Sequence, residues 1–163
     1  MNIILIPIVV VVLDQISKIF VKNYWINNEL FYSKINIIGD YVRIIYLENP
    51  GIAFGIDTSQ YHFYITLLTF LAIVFLYFYY LKLISSNHYE KLSVSFIIGG
   101  AVGNFIDRFL VLLPNSGYNG VIDFIDIGIG YSRWYTFNVA DASITIGLLI
   151  FFYQTYIIKK NDV

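Results

Sequence analysis

The sequence predicts an all-α membrane protein with four transmembrane helices and a small extracytoplasmic β-sheet between helices one and two. Of its 163 residues, 58% are hydrophobic and only 13% are charged, whereas about a quarter of the residues of a soluble domain carry a charge. Four apolar segments also approach the ~20 residues that a helix needs to cross the hydrocarbon core. The length suits a single domain, residues 1–163.

The first apolar segment, about 2–22, is predicted to be a retained transmembrane helix. No basic residues precede its apolar run and no small-residue cleavage site follows it, so it differs from a secretory signal peptide. The connection after it, 23–60, contains a stretch from Tyr41 to Leu47 that is rich in β-branched and aromatic residues. We therefore expect short strands in that connection.

Three further transmembrane helices are expected at about 61–83, 92–113 and 139–158. The second is the most uniformly apolar, with no charge before its end. The third contains Gly99 and Gly103, a small-xxx-small spacing that lets helices approach each other closely in lipid.

The number of spans and the positions of the lysines predict the topology. Four spans place both termini on the same side of the membrane. Lys159 and Lys160 in the tail, and lysines around the short second connection, assign that side to the cytoplasm. The connections 23–60 and 114–138, the latter rich in turn residues, are then extracytoplasmic.

The polar residues of the spans are expected to converge on one face of the membrane. A charged side chain at the centre of a span costs at least about 2.5–3.5 kcal/mol on insertion, so each one requires a reason. Alternating topology brings together the end of helix one, the end of helix three and the start of helix four. These contain, in that order, Asp14 and Lys18; Asn104, Asp107 and Arg108; and Asp141.

Each of these groups also has a purely structural explanation, and these alternatives stay open. Asp14 and Lys18 are four residues apart, so they can form an ion pair that lowers the cost of insertion. Arg108 can anchor its helix end at the lipid headgroups. Asn138 and Asp141 can be the N-cap and the third residue of helix four.

Composition restricts the chemistry to carboxylates, hydroxyls and lysine. The chain has no cysteine and two histidines, which excludes thiolate chemistry and argues against a histidine metal site. A net charge of −1 without a basic stripe argues against nucleic acid as a partner. A serine–lysine dyad has weak support, because Lys18 has Asp14 as a natural partner and no lysine is evidently close to Ser143.

Asp123 and Asp141 are the candidate catalytic pair. Two carboxylates brought close together cannot both ionise comfortably, so one keeps its proton at neutral pH. The ionised group can then activate a water molecule, and the protonated group can polarise a scissile carbonyl and donate to the leaving amine. Asp107 is a third acid, better suited to a structural role with Arg108.

Five motifs occur in order along the chain and resemble those of the lipoprotein signal peptidase family, the type II signal peptidases of bacteria. Together they cover essentially the whole chain, and their order and spacing are highly specific. They are Asp14-Gln15-x-Ser17-Lys18, Asn49-Pro50-Gly51-Ile52-Ala53-Phe54-Gly55, Gly99-Gly100-Ala101-x-Gly103-Asn104-x-x-Asp107-Arg108, Val121-Ile122-Asp123-Phe124 and Phe137-Asn138-Val139-Ala140-Asp141-Ala142-Ser143.

The resemblance implies an aspartic endopeptidase that removes the signal peptide from prolipoproteins whose cysteine already carries diacylglycerol, cutting just before that cysteine. It implies that Asp123 and Asp141 are catalytic, and that Asp14 and Lys18 give polar support. The positions that would line the substrate pocket are Asn49, Gly51, Asn104, Arg108, Asn138 and Ala140, with Asp107 beside them.

The same resemblance places the protein in the bacterial cytoplasmic (inner) membrane, as a multi-pass protein with its active site near the extracytoplasmic face. Membrane lipid and the lipidated substrate are the expected partners, and we expect a monomer without metal or cofactor. The chain departs from the family pattern at Ile52 and in the connection between Arg108 and Val121, which is longer than usual and includes Asn115–Gly120.

Two other functions compete with a peptidase. Paired acids in a membrane also relay protons in transporters, but these usually show internal repeats or broken helices at the midplane, and the sequence has no internal repeat. A non-enzymatic assembly factor could use the same acids only to bind partners. Aspartyl peptidases with a Gly-x-Gly-Asp motif are disfavoured, because that motif does not occur.

Overall fold

The computed structural model describes residues 5–30, 33–51, 59–83 and 88–158. They form four α-helices, and the last continues as a π-helix, Gln154–Ile158. The helices are α1 (Ile6–Asn27), α2 (His62–Lys82), α3 (His88–Val111) and α4 (Val139–Tyr153). Parts of the sequence predictions lie outside the described residues, namely the start of helix one, Ile52 and the tail lysines.

Four helices are confirmed, but the limits of two of them differ from the predictions. The first continues five residues beyond position 22, to Asn27, and the third begins at His88 instead of 92. Hydropathy marks the part of a helix that suits hydrocarbon, whereas the helix continues until the backbone is broken. No glycine or proline interrupts either extension.

Three helical segments are long and apolar enough to cross a membrane: His62–Lys82, His88–Val111 and Val139–Tyr156. The first helix carries Asp14, Lys18 and Lys22 and is not among them. The four-span count therefore stays a prediction.

Helix α1 has the reverse of the polarity expected for a helix in water. Its buried residues recur every three or four positions and include Asp14 and Lys18, whose side chains are almost completely enclosed. Most of its exposed side chains are apolar, and Phe20 is 68% exposed. A helix that encloses charge and exposes aromatic and aliphatic groups suits lipid surroundings.

The strands form one antiparallel sheet in the order β1-β2-β3-β4. Their ranges are β1 (Ile35–Ile38), β2 (Val42–Asn49), β3 (Val121–Ile129) and β4 (Ser132–Arg133). The first two lie in the connection where strands were predicted.

The prediction that the sheet lies between helices one and two was incomplete. Half of its strands, β3 and β4, come from the connection between α3 and α4, which was expected to be rich in turns. The physical reason is the pairing of β2, where Leu47, Glu48 and Asn49 face Asp123, Ile122 and Val121 respectively. A half-buried strand needs a partner on each edge, and β1 covers only one edge of β2.

Ion pairs tie the outer part of the sheet together. Asp126 on β3 faces Arg43 on β2 and accepts two hydrogen bonds from Nε of Arg133, at 2.6 and 2.8 Å. Asp40 forms ion pairs with both arginines. Asp126 is nearly as buried as Asp123, at 6% against 3% exposure.

The chain divides into two compact units. The first consists of Met1–Asp14, Leu67–Phe105 and Val139–Val163, and the second of Gln15–Thr66 and Ile106–Asn138. The whole sheet belongs to the second unit.

In the first unit the helices approach closely at small residues. A Cβ added to Gly99 would lie 2.8 Å from Cβ of Val10, and one added to Gly147 would lie 2.8 Å from the carbonyl oxygen of Ser93. The Ser93 hydroxyl donates to the carbonyl oxygen of Gly147 at 2.8 Å. The predicted role of Gly99 and Gly103 in close helix packing is confirmed.

Candidate active site

Asp123 lies on β3 and is held by two asparagine amides. Its side chain is 3% exposed. Its Oδ1 accepts a hydrogen bond from Nδ2 of Asn138 at 2.6 Å, and its Oδ2 accepts one from Nδ2 of Asn49 at 3.0 Å. Donors on both oxygens fix the orientation of the carboxylate and stabilise negative charge in a place that excludes water.

Each asparagine is itself oriented by a second contact. Oδ1 of Asn49 accepts the backbone N–H of Gly51 at 3.0 Å, a local turn that directs the NH₂ group toward Asp123. Asn138 is fully buried, and its Nδ2 also donates to the carbonyl oxygen of Ile122 at 3.2 Å. The donor groups therefore have little freedom to turn away from Asp123.

Asp107 fixes the residue that precedes Asp123. It is fully buried and accepts the backbone N–H of Ile122, the ammonium of Lys18 and the amide of Gln15, each at 3.0 Å. Sequence reasoning expected Asp107 to have a structural role with Arg108. In the structure its carboxylate contacts these three groups, and its role stays a prediction.

Lys18 was expected to pair with Asp14, its neighbour one helical turn earlier. Its ammonium forms an ion pair with Asp107, and both side chains are 1% exposed. This ion pair joins two helices, which the spacing of charges along α1 alone does not indicate, and the pairing with Asp14 stays a prediction.

In the first unit, Asp141 is the third residue of α4 and its side chain is partly buried. Its Oδ1 accepts a hydrogen bond from Nδ2 of Asn104 at 2.7 Å. Oδ1 of Asp14 accepts the backbone N–H of Ala140 at 2.9 Å. Because the first N–H groups of a helix lack partners within the helix, Asp14 acts as a cap for the turn that contains Asp141.

Gly103 makes room for this cap. A Cβ at position 103 would lie 2.6 Å from Oδ2 of Asp14 and 3.2 Å from Cβ of Ala140. We expect Gly103→Ala to lower the free energy of unfolding by about 1–3 kcal/mol, because the added methyl group must displace α4 or the carboxylate. Thermal unfolding in detergent micelles measures this.

Gly130→Asn is the matched control for Gly103→Ala. Gly130 has a φ of +55°, which asparagine tolerates, and a Cβ there would meet nothing within 4 Å. A Gly103→Ala protein that unfolds at the same temperature as the parent would show that α4 does not need this space.

The backbone carbonyl of Arg108 accepts a hydrogen bond from the Thr66 hydroxyl at 3.4 Å, and its side chain is partly buried. Within the described part of the chain, no group of three or more His, Asp or Glu side chains is placed to hold a metal ion.

Sequence reasoning did not single out Gln15 or Glu48. Gln15 lies within the first motif but was given no role, and Glu48 directly precedes Asn49, the first residue of the second motif. Their partners come from distant parts of the sequence, and no local spacing could have identified them.

Comparison with known proteins gives a consistent result. The family model described as "Signal peptidase (SPase) II" matches residues 6–157. A lipoprotein signal peptidase of Treponema pallidum (strain Nichols) is 43% identical over 150 residues, covering 86% of this chain and 76% of that protein. One of Borreliella burgdorferi (strain ZS7) is 34% identical over 167 residues, covering 98% and 92%.

A solved structure also resembles this chain. It is described as a bacterial membrane enzyme determined by the in meso method at 2.3 Å resolution. It has a TM-score of 0.73 and 30% sequence identity, and the match covers 99% of this chain and 92% of that one.

Proposed function

Because the chain belongs to the signal peptidase II family, we propose that it is an aspartic endopeptidase that removes the signal peptide from diacylglyceryl-modified prolipoproteins. It cuts just before the lipidated cysteine. The name that the relatives share, lipoprotein signal peptidase, supports this substrate class.

The proposed catalytic groups are Asp123 and Asp141. The observation that carries this assignment is the surroundings of Asp123, a carboxylate with 3% exposure whose two oxygens both accept asparagine amides. Enclosing a carboxylate is costly, and such fixed acids are typical of reactive sites. Asn138, which donates to Asp123, precedes Asp141 by only three residues in the chain.

In the proposed reaction one aspartate is ionised and the other protonated. The ionised group takes a proton from a water molecule, whose oxygen attacks the carbonyl carbon of the scissile peptide bond. The protonated group donates a hydrogen bond to the carbonyl oxygen as negative charge develops there. Collapse of the tetrahedral intermediate breaks the C–N bond, and a proton passes to the leaving amine of the lipidated cysteine.

The other residues are proposed to support this reaction. Asn49 and Asn138 orient Asp123, Asn104 orients Asp141, and Asp14 caps the first turn of α4. Gly51, Arg108 and Ala140 are proposed to line the substrate pocket.

We also propose that all four helices span the bacterial inner membrane, with both termini in the cytoplasm and the sheet on the extracytoplasmic face. The enclosed charges of α1 and its exposed apolar side chains support a span there despite three charged residues. The lipid chains anchor the substrate, so its scissile bond stays near the membrane surface and is presented to the enzyme. A single copy of the chain is proposed to be sufficient.

The function is tested with protein purified in detergent and a precursor that carries diacylglycerol on its cysteine. We expect a mobility shift and a product that begins with the lipidated cysteine. The control is the same precursor without the lipid, which should remain at full length. Equal cleavage of both precursors would contradict the proposed specificity, and no cleavage of either would contradict the proposed activity.

A further inference from the structure

A cluster of polar groups surrounds Glu48, at the end of β2 and within the second unit. Its Oε1 accepts hydrogen bonds from the Lys22 ammonium at 3.0 Å and from the Tyr46 hydroxyl. Its Oε2 accepts the backbone N–H of Asn119 at 3.0 Å and the Asn119 amide at 2.7 Å. We call these four residues the Glu48 cluster; it accounts for both oxygens of the carboxylate.

The Glu48 cluster joins three separate parts of the chain. Lys22 comes from the last turns of α1, Glu48 from the end of β2, and Asn119 from the connection after α3. Lys22 also donates to the carbonyl oxygen of Gly117 and lies 3.7 Å from the centre of the Tyr118 ring. The segment that makes this connection longer than usual therefore has a defined set of contacts.

Two features link the Glu48 cluster to Asn49, the donor to Asp123. Asn49 directly follows Glu48 in β2. Gly120 directly follows Asn119, and a Cβ at position 120 would lie less than 3.0 Å from the backbone of Asn49 and Pro50. The connection after α3 thus contacts the backbone of Asn49, the residue whose side-chain amide donates to Asp123.

We propose that Glu48 is a positioning residue for the proposed reaction. Its carboxylate holds the segment 117–120 against the end of β2, and this contact keeps the Asn49 amide directed at Asp123. The proposal rests on the catalytic role proposed for Asp123. It assigns a function to the Asn115–Gly120 segment, which the sequence left unexplained. The competing explanation is that the cluster only stabilises the fold.

The charges around Glu48 keep it ionised at neutral pH. Burial raises its pKa, but hydrogen bonds from Tyr46, Lys22 and Asn119 outweigh burial, and the pKa lies below its ordinary value. Burial and the neighbouring Glu48 raise the pKa of Tyr46, and burial together with Asp107 and Glu48 raises that of Tyr118, so both phenols keep their protons.

Because the pKa of Glu48 is lower in the folded protein than in the unfolded chain, a fall in pH removes the contribution of Glu48 to stability. The contribution of Glu48 to stability is complete above its ordinary pKa of about 4.3 and is lost as the pH falls through the lower folded-state pKa. The contacts of the cluster should therefore be intact at neutral pH, where the following measurements are made.

The test is a double-mutant cycle on the rate of cleavage, with Glu48→Gln, Asn49→Ala and the double variant. If Glu48 acts through Asn49, we expect kcat to fall about 10-fold in Glu48→Gln and about 30-fold in Asn49→Ala, with KM nearly unchanged. The double variant should then match Asn49→Ala. A loss of about 300-fold in the double variant, the product of the two effects, would overturn the proposal.

Asp40→Asn is the matched control for the cycle. Asp40 belongs to the same unit and forms ion pairs with Arg43 and Arg133. It lies in the turn before β2, whereas Asn49 is the last residue of that strand. Its removal should change kcat less than twofold. A similar loss of kcat in Asp40→Asn and Glu48→Gln would show a general structural effect and overturn the proposal.

A second measurement does not depend on activity. In protein labelled with ¹⁵N in its asparagine side chains, the Asn49 resonance is identified by its loss in Asn49→Ala. We expect Glu48→Gln to move it toward its position in Asp123→Asn, while the Asn138 resonance stays in place. An Asn49 resonance that does not move overturns the proposal, even if the parent protein cleaves no precursor and the proposed function has failed.

Discussion

Replacing Asp123 or Asp141 by asparagine is expected to lower the rate of precursor cleavage by at least about 10³-fold in each case. Asparagine has nearly the same shape as aspartate, but it can neither accept a proton from water nor donate one to the leaving amine. Single-turnover cleavage of the lipidated precursor measures the loss. Because each variant keeps the size of the side chain, thermal unfolding should show that both remain folded.

The two substitutions should not be additive. If both carboxylates act on one water molecule and one carbonyl, the loss of either one already removes most of the rate enhancement. Loss of the second then lowers the rate little further, as for catalytic groups that work as a unit. The double variant should therefore be about as slow as either single variant. If the loss of rate in the double variant equals the two single losses multiplied together, the acids act in separate steps.

Asp126→Asn is the control for loss of a buried carboxylate from β3. Asp126 lies three residues after Asp123 and pairs with Arg133, so its loss should lower stability but leave the rate within a few-fold of the parent. A parent-like rate in Asp123→Asn or Asp141→Asn would contradict the dyad. Retained biological function in both variants would instead favour an assembly role, and proton flux through the parent protein would favour a transporter.

Hydropathy predicted the number of helices, because an apolar run of about 20 residues in a chain with little charge has few alternatives. It predicted their ends less well. The last residues of α1, up to Asn27, and the first residues of α3, from His88, include polar residues and are helical. Nothing in their composition distinguishes the end of a helix from the end of its lipid-facing part.

The sheet could be predicted only in part. The strand β2 is rich in β-branched and aromatic residues, a composition that is visible locally. The strand β3 follows a run of turn residues, and its pairing joins residues such as Asn49 and Val121 that lie far apart in sequence. Pairing over such distances depends on the folded chain and leaves no periodicity in the sequence.

The same limit applies to the site. The motifs located Asp123, Asn49 and Asn138, and the structure brings these side chains into contact. The spacing of charges along α1 suggested a local partner for Lys18, but it could not indicate the ion pair with Asp107 on another helix. Motifs identify the residues of a site, but tertiary packing determines which buried polar groups contact each other.

Asp107→Asn is expected to lower the free energy of unfolding by about 3–5 kcal/mol, the largest stability effect of a single substitution at the site. The Lys18 ammonium is 1% exposed, so removing the negative charge of Asp107 leaves an enclosed cation with less compensating charge around it. Asparagine keeps the shape of the side chain and an oxygen for the N–H of Ile122. The loss therefore measures charge more than packing, and thermal unfolding in detergent micelles should show a decrease of about 10 °C.

A double variant, Lys18→Met with Asp107→Leu, separates the effect of the ion pair on stability from the effect of the hydrogen bonds that Asp107 accepts. Replacing both members of a buried ion pair by apolar groups of similar size is often neutral or stabilising. Here recovery should be incomplete, because the N–H of Ile122 loses its acceptor, at about 1–3 kcal/mol for a buried donor. The double variant should thus be more stable than Asp107→Asn and less stable than the parent.

Asp107→Asn should also slow cleavage, for a reason independent of stability. The N–H of Ile122 that Asp107 accepts belongs to the residue before Asp123, so a weaker acceptor lets the backbone of β3 shift at the proposed catalytic acid. In Lys18→Met the carboxylate at position 107 remains and can still accept that N–H. Lys18→Met should therefore lose stability with a smaller loss of rate, and equal losses of rate in the two variants would contradict this path from Asp107 to Asp123.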